Sequence, residues 1–183
     1  MLFRSTTTTE TLVFMRHGEK PSGGYGQLTC QGLNRALALP DVLLTKFGKP
    51  TYLYAPSPAA QIVDPAGTFY YVRPLATIEP TAVRAGMNVR TKYAYSDIST
   101  LEAALITPTK ADSTIFVAWE HSYLQKVVQN IMNHHGGGAA VPAWISGDYD
   151  TLYIVRVNYV GGTITARFSK DHEGLNNQPT GCP

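Results

Sequence analysis

The chain has 183 residues, 44% of them hydrophobic and 15% charged, with a formal net charge of +2 at pH 7. That is enough chain to bury one core, too apolar for disorder and too evenly charged to demand nucleic acid as a partner. No apolar run approaches the length of a membrane span. The expectation is one domain over residues 1–183, with neither nucleic acid nor a membrane as partner.

Met1 to Glu10 is Thr-rich and lacks the long apolar segment of a secretory signal, although a mature chain cut from its signal would look the same. A cytoplasmic location is favoured over a periplasmic or secreted one. Thr11 to Met15 reads as a central strand, apolar without an alternating polar face. It breaks off into Arg16-His17-Gly18, so polar groups capable of chemistry sit where a buried strand meets a loop, the edge at which open α/β sheets bind ligands. Pro21 to Gly26 is loop by composition. Leu28 to Phe47 follows a helical pattern interrupted at Pro40, which one kinked helix or two short ones would satisfy.

Thr51 to Ala55 is a short second strand, and Pro56 to Gly67 reads as a surface loop. Leu75 to Ala85 has helical character broken by Pro80; Asn88 to Tyr93 looks like an edge strand, and Ile98 to Ile106 like a short helix. Ser113 to Trp119 is the second strongly apolar strand, and it too ends in polar chemistry, Glu120-His121-Ser122. Leu124, Val127, Val128, Ile131 and Met132 then recur at helical steps up to Gly136-Gly137-Gly138. Two strands that each end in a histidine loop and lead into a helix suggest one edge of a parallel sheet. Thr151 to Val157 and Thr163 to Phe168 form a hairpin about Gly161-Gly162, and the polar tail from Lys170 to Pro183 is expected over the surface.

Cys30 and Cys182 form no metal-ligand spacing. Separate inert thiols are the default expectation; a tail-anchoring disulfide is the alternative and would imply an oxidising compartment. His134-His135 suit a helix C-terminus, His172 an exposed tail, and Trp119 and Trp144 packing.

Arg16-His17-Gly18 after an apolar strand resembles the nucleophile motif of the histidine phosphatase (phosphoglycerate mutase-like) superfamily. Further features fit in order: Leu28-Thr29 with Gly32 opening the first helix, Arg73 with Thr77, and His121 closing a late strand. The second arginine departs from the usual setting, because Ser57-Pro58 is separated from Arg73 by an insertion that would shape selectivity. Arg84 and Arg90 are weaker substitutes for it. The resemblance implies an α/β fold of three layers, a mostly parallel central sheet with helices on both faces.

It also implies a metal-independent phosphatase of the histidine acid phosphatase type that takes a phosphomonoester through a phosphohistidine intermediate. His17 would be the nucleophile. Arg16 and Arg73 would grip phosphate oxygens with planar guanidinium groups that stay charged at any working pH. His121 would stabilise the equatorial oxygens, while Gly18 and Lys20 would line the phosphate site. These groups supply the positive charge themselves, so no metal or other cofactor is called for. The proton for the leaving group is assigned first to Glu120 and second to Asp97, with Glu19 and Glu79 as further candidates. The partner implied is a phosphorylated small molecule or a phosphoprotein. A catalytically weak phosphate- or phosphoprotein-binding module and a phosphomutase are the alternatives.

Overall fold

The computed structural model describes residues 7–183. The first part of the Thr-rich lead, residues 1–6, lies outside the described residues. Its remainder opens strand β1, Thr8–Arg16, which begins earlier than its apolar run because Thr8 to Thr11 pair with the antiparallel hairpin. Then follow helix α1 (Cys30–Phe47), strands β2 (Tyr52–Tyr54), β3 (Gln61–Asp64) and β4 (Gly67–Tyr70), helix α2 (Arg73–Ala85) and strand β5 (Val89–Arg90). Helix α3 (Ile98–Leu105), strand β6 (Thr114–Trp119), helix α4 (His121–His135) and strands β7 (Thr151–Val160) and β8 (Thr163–His172) complete the order.

Six strands form one sheet in the order β5-β2-β6-β1-β7-β8. β5, β2, β6 and β1 run parallel, while β7 and β8 continue antiparallel. The alternation of side chains across a strand divides the core in two. Leu12 and Phe14 face a cluster completed by Leu101 and Leu105 of α3 and by the Leu124 to Met132 stripe of α4. Val13 and Met15 face the opposite cluster, with Leu39 and Leu43 of α1 and Ile78 and Ala82 of α2. The fold is therefore a three-layer α/β domain, and β1 reads as continuously apolar because both its faces are buried.

Helix α1 runs unbroken through Pro40 and α2 through Pro80. Each proline removes one helical hydrogen bond, and the burial of Leu39 and Leu43 beside Pro40, and of Ile78 and Ala82 about Pro80, outweighs that loss. The edge strand expected over Asn88 to Tyr93 shrinks to Val89–Arg90. The segment read as loop, Pro56 to Gly67, holds most of a β3–β4 hairpin in register Gln61↔Tyr70 to Asp64↔Gly67.

The tail also differs from expectation. Cys30 and Cys182 are joined as a disulfide rather than left as separate thiols, with Cα atoms 4.5 Å apart. Asn34 of α1 donates to the carbonyls of Pro179 and Gly181 at 2.8 and 2.7 Å. Deeper, the fully buried Arg35 gathers Glu19, Asp150 and Glu173 at 2.7, 3.3 and 2.6 Å. One guanidinium thus ties the loop after β1 to the start of β7 and the end of β8. His172 closes β8 and is exposed as expected, 3.9 Å from Asp150.

The disulfide spans a sequence separation of 152 residues and constrains almost the whole unfolded chain. Reduction, or Cys182→Ser, is expected to lower the unfolding free energy by about 3 kcal/mol. The check is a lower denaturant midpoint with the far-ultraviolet spectrum of the folded state retained.

Candidate active site

Strands β1 and β6 lie side by side in register up to Arg16↔Trp119, so their ends and the residues beyond them arrive together. The His17 N–H donates to the Trp119 carbonyl at 3.3 Å, which seats His17 against Glu120-His121 at the carboxyl edge of the parallel strands. The turn out of β1 must pass very close to α1. A Cβ on Gly18 would stand 2.8 Å from the Gly32 carbonyl oxygen, and one on Gly32 would stand 2.4 Å from that of Glu19. Thr29 caps α1 by accepting from Gly32 N at 3.1 Å, so Thr29 and Gly32 together fix this approach.

His17 is buried, and its Nδ1 lies 2.7 Å from the Gly18 carbonyl oxygen. A carbonyl oxygen only accepts, so Nδ1 carries the proton and Nε2 holds the free lone pair. Burial holds the imidazole well below its ordinary pKa; the Gly18 contact opposes this, and the nearby Arg73, Arg16 and His121 reinforce it.

Arg16 leaves β1 on the face of Leu12 and Phe14, the side on which Val141 and Trp144 pack. Its Nη1 donates to the carbonyl of Ser146 and, at 3.1 Å, to that of Asp148. Its guanidinium stacks 4.0 Å from the centre of the Tyr149 ring. Arg73 begins α2, its N–H donating to Gly26 O at 3.1 Å. Nη1 and Nη2 donate to the Asp64 carboxylate at 2.6 and 3.2 Å, and the group lies 4.9 Å from the centre of the Tyr71 ring. That ring stands edge-on to His17, centroids 6.1 Å apart.

Arg16 Nε, Arg73 Nε and the Tyr71 hydroxyl are all buried without a hydrogen-bond partner among the described residues. Burial raises the Tyr71 phenol far above its usual range, so it remains an O–H donor. Donors left unpaired in a protein interior are costly, and these three have the chemistry to receive an anion.

Strand β6 ends at Trp119, which packs fully buried, and Glu120 caps α4 by accepting from Tyr123 N at 2.9 Å. Its Oε1 lies 2.6 Å from His121 Nδ1, although the alignment is poor for a hydrogen bond. Burial alone would raise the Glu120 carboxyl; the His121 side chain and the Tyr123 N–H outweigh it and hold Glu120 below the ordinary range. It is an anion in this setting, poorly matched to donating a proton.

Gly18 N–H donates to Thr77 Oγ1 at 2.9 Å and is thereby occupied, so this residue serves close packing. Thr77 Oγ1 donates in turn to the Arg73 carbonyl at 2.8 Å, tying the turn after β1 to the first turn of α2. Lys20 is aimed at Asp64, 3.7 Å away. The remaining sequence candidates lie elsewhere. The Glu19 carboxylate is held by Arg35, and Asp97 turns back to accept from Ala94 N at 3.0 Å. Glu79 and Arg84 line a groove of about 650 Å³ between α1 and α2, where Arg84 pairs with Asp41. Arg90 stacks on Tyr52 at 4.4 Å. His134 and His135 end α4 as expected, His134 against Glu102 at 2.6 Å, and Trp144 packs 4.5 Å from Tyr153.

Asp64, Tyr71 and Tyr149 are site residues that sequence reasoning did not single out. The first had a signal: Gln61 to Asp64 and Gly67 to Tyr70 are short β-type runs about a Pro65-Ala66 turn. Tyr149 had none, because its partner Arg16 is remote in sequence.

No protein-family model matches the chain, and no curated protein matches it either. Solved structures do. A protein assigned as the phosphohistidine phosphatase SixA of Nakamurella multipartitia superposes with a TM-score of 0.56 at 16% identity, covering 90% of this chain and 96% of that one. A mycobacterial glucosyl-3-phosphoglycerate phosphatase, solved with inorganic phosphate, gives 0.56 at 13% identity over 87% and 95%. Phosphoglycerate mutase of Plasmodium falciparum gives 0.54 at 13% over 87% and 89%. The chain thus has the phosphoglycerate mutase-like fold that its Arg16-His17-Gly18 motif implied.

The buried neutral imidazole makes a thermodynamic signature. Its pKa is depressed on folding, so its contribution to stability is present above pH 6.5 and is lost as the pH falls, because the unfolded chain takes up a proton the folded one refuses. His17→Asn should therefore show a shallower loss of stability below pH 6.5 than wild type in urea titrations.

Proposed function

We propose that the protein is a phosphatase that hydrolyses a phosphoryl substrate through a covalent phosphohistidine on His17. The observation that carries this is the buried imidazole with Nδ1–H pinned to Gly18, bracketed by two guanidinium groups whose Nε donors lack protein partners. In this reading Nε2 attacks phosphorus in line while Arg16, Arg73 and the Tyr71 hydroxyl receive the oxygens. The P–N bond forms as the bond to the leaving group breaks; water then attacks phosphorus and frees the imidazole with inorganic phosphate. The positive charge comes from the protein's own side chains, so the reaction runs without a metal. The SixA-like, phosphoserine phosphatase and glucosyl-3-phosphoglycerate phosphatase folds among the structural neighbours support the class of reaction.

Glu120 acts in this scheme by facing His121 and fixing its ring, not by protonating the leaving group. Substrates whose leaving atom departs as a weak base, such as aryl phosphates or phosphoramidates, are then the better ones. Histidine-linked phosphate, the substrate class named for the SixA structure, belongs among them.

Rapid-quench labelling with an aryl phosphate, in chelator, tests the intermediate. Wild type should yield an acid-labile, base-stable phosphoprotein and release phosphate, while His17→Ala does neither. Phosphate bound without label or release would indicate a binding module, and transfer back to substrate a mutase. Glu120→Gln should reduce kcat/KM by the same factor for aryl and alkyl phosphates. A loss confined to alkyl phosphates would make Glu120 the proton donor after all.

A further inference from the structure

The second arginine of the site is held in an unusual way. Arg73 spends Nη1 and Nη2 on one carboxylate, Asp64, which the β3–β4 hairpin delivers from the insertion that precedes α2. The same carboxylate accepts from Gly26 N at 2.8 Å and stands 3.7 Å from Lys20 Nζ. The loop around it is tight: Gly24 has φ +80°, and a Cβ there would lie 2.1 Å from Asp64 Cγ. Ala66 N donates to Gly23 O at 3.0 Å, and Val72 N and Arg73 N both donate to Gly26 O at 3.1 Å, so hairpin, loop and first turn of α2 close on one another.

Ion pairing of this kind has a geometric consequence. A planar guanidinium bound through both terminal nitrogens, with Nη1 also donating to Gly24 O at 3.3 Å, cannot rotate, and its buried Nε–H has no partner among the described residues. We infer that Asp64 is a positioning residue, through which the β3–β4 hairpin orients Arg73 toward the phosphoryl group. The inference rests on the phosphatase reading above. Burial opposes ionisation of Asp64, but Arg73 and the Gly26 N–H outweigh it and keep the carboxyl below its ordinary range, so the clamp stays charged at neutral pH.

The same contacts also fit a second role. Arg73, Lys20 and the Gly26 N–H converge on Asp64 as they would on a phosphate, and an internal competitor would release activity when removed. A positioning residue would do the opposite.

The test measures kcat and KM for an aryl phosphate and the inhibition constant of inorganic phosphate in wild type, Asp64→Asn, Asp64→Glu, Arg73→Lys and the Asp64→Asn/Arg73→Lys double variant. Positioning predicts that Asp64→Asn lowers kcat by about 10²-fold, the scale of an ångström-level misplacement. Phosphate inhibition should stay within a few-fold, and Asp64→Glu should recover part of kcat. In the Arg73→Lys background, Asp64→Asn should cost little more, because its effect passes through the guanidinium. An unchanged kcat, a raised kcat with tighter phosphate binding, or full additivity with Arg73→Lys would each overturn the inference. Circular dichroism checks folding. Should Asp64→Asn fail to fold, Asp64→Glu takes its place, and a raised kcat with tighter phosphate inhibition there would overturn the inference as well. Wild type that neither turns over an aryl phosphate nor binds phosphate would remove the phosphatase reading and this inference with it, a result visible before any variant is compared.

Discussion

The constraint on which the structure turns is the burial of positive charge around a histidine that must stay neutral. Arg16 and Arg73 are almost wholly withdrawn from water, and charges of like sign in such a medium repel strongly. Each basic group has its own holder, taken from a different part of the chain. Backbone carbonyls of the 141–150 segment and the Tyr149 ring receive Arg16, the hairpin carboxylate of Asp64 receives Arg73, and the helix-capping carboxylate of Glu120 faces His121. None of these contacts exhausts the donors it restrains: Nε of Arg16 and of Arg73 stays buried without a partner among the described residues. The arrangement tolerates buried guanidinium groups because each is partly compensated, and the proposed phosphate would complete that compensation.

The division between what could be read in the sequence and what could not follows from the range of the forces involved. β1, β6 and the α4 stripe were legible because burial on both sheet faces, or on one helix face, imposes a short period on neighbouring residues. From those strands alone Arg16, His17 and His121 could be placed at one sheet edge. The β3–β4 hairpin was read as loop because its runs are only four residues long and its sheet has only two strands. Val63 is 80% exposed and Tyr70 62%, so no buried face writes an alternating pattern there. Arg16–Tyr149 and Cys30–Cys182 depend on the whole topology, and no local period records them.

Glu19 shows how a plausible site residue can belong to the frame instead. It follows the Arg16-His17-Gly18 motif directly, yet its carboxylate is bound by Arg35, which also holds Asp150 and Glu173. Three carboxylates share that guanidinium, and burial pushes Glu173 up to about 8 against the pull of Arg35. The cluster therefore anchors the loop after β1 to the antiparallel half of the sheet, with the disulfide closing the same seam at the surface. The loop that carries His17 is fixed from behind by this seam and in front by Thr77.

The two carboxylates nearest the imidazole then take on a common character. Asp64 and Glu120 are both drawn below the ordinary carboxyl range by the groups they hold, and an acid so drawn is a weak competitor for a proton on a departing alkoxide. What fits them for holding cations unfits them for acid catalysis. In the proposed phosphatase both carboxylates therefore stand behind the groups that would receive phosphate, and the chemistry left to the site is nucleophilic attack with electrostatic stabilisation. Under that proposal the leaving group would have to supply the ease of its own departure, which would tie the choice of substrate to the same charge balance that holds the site together.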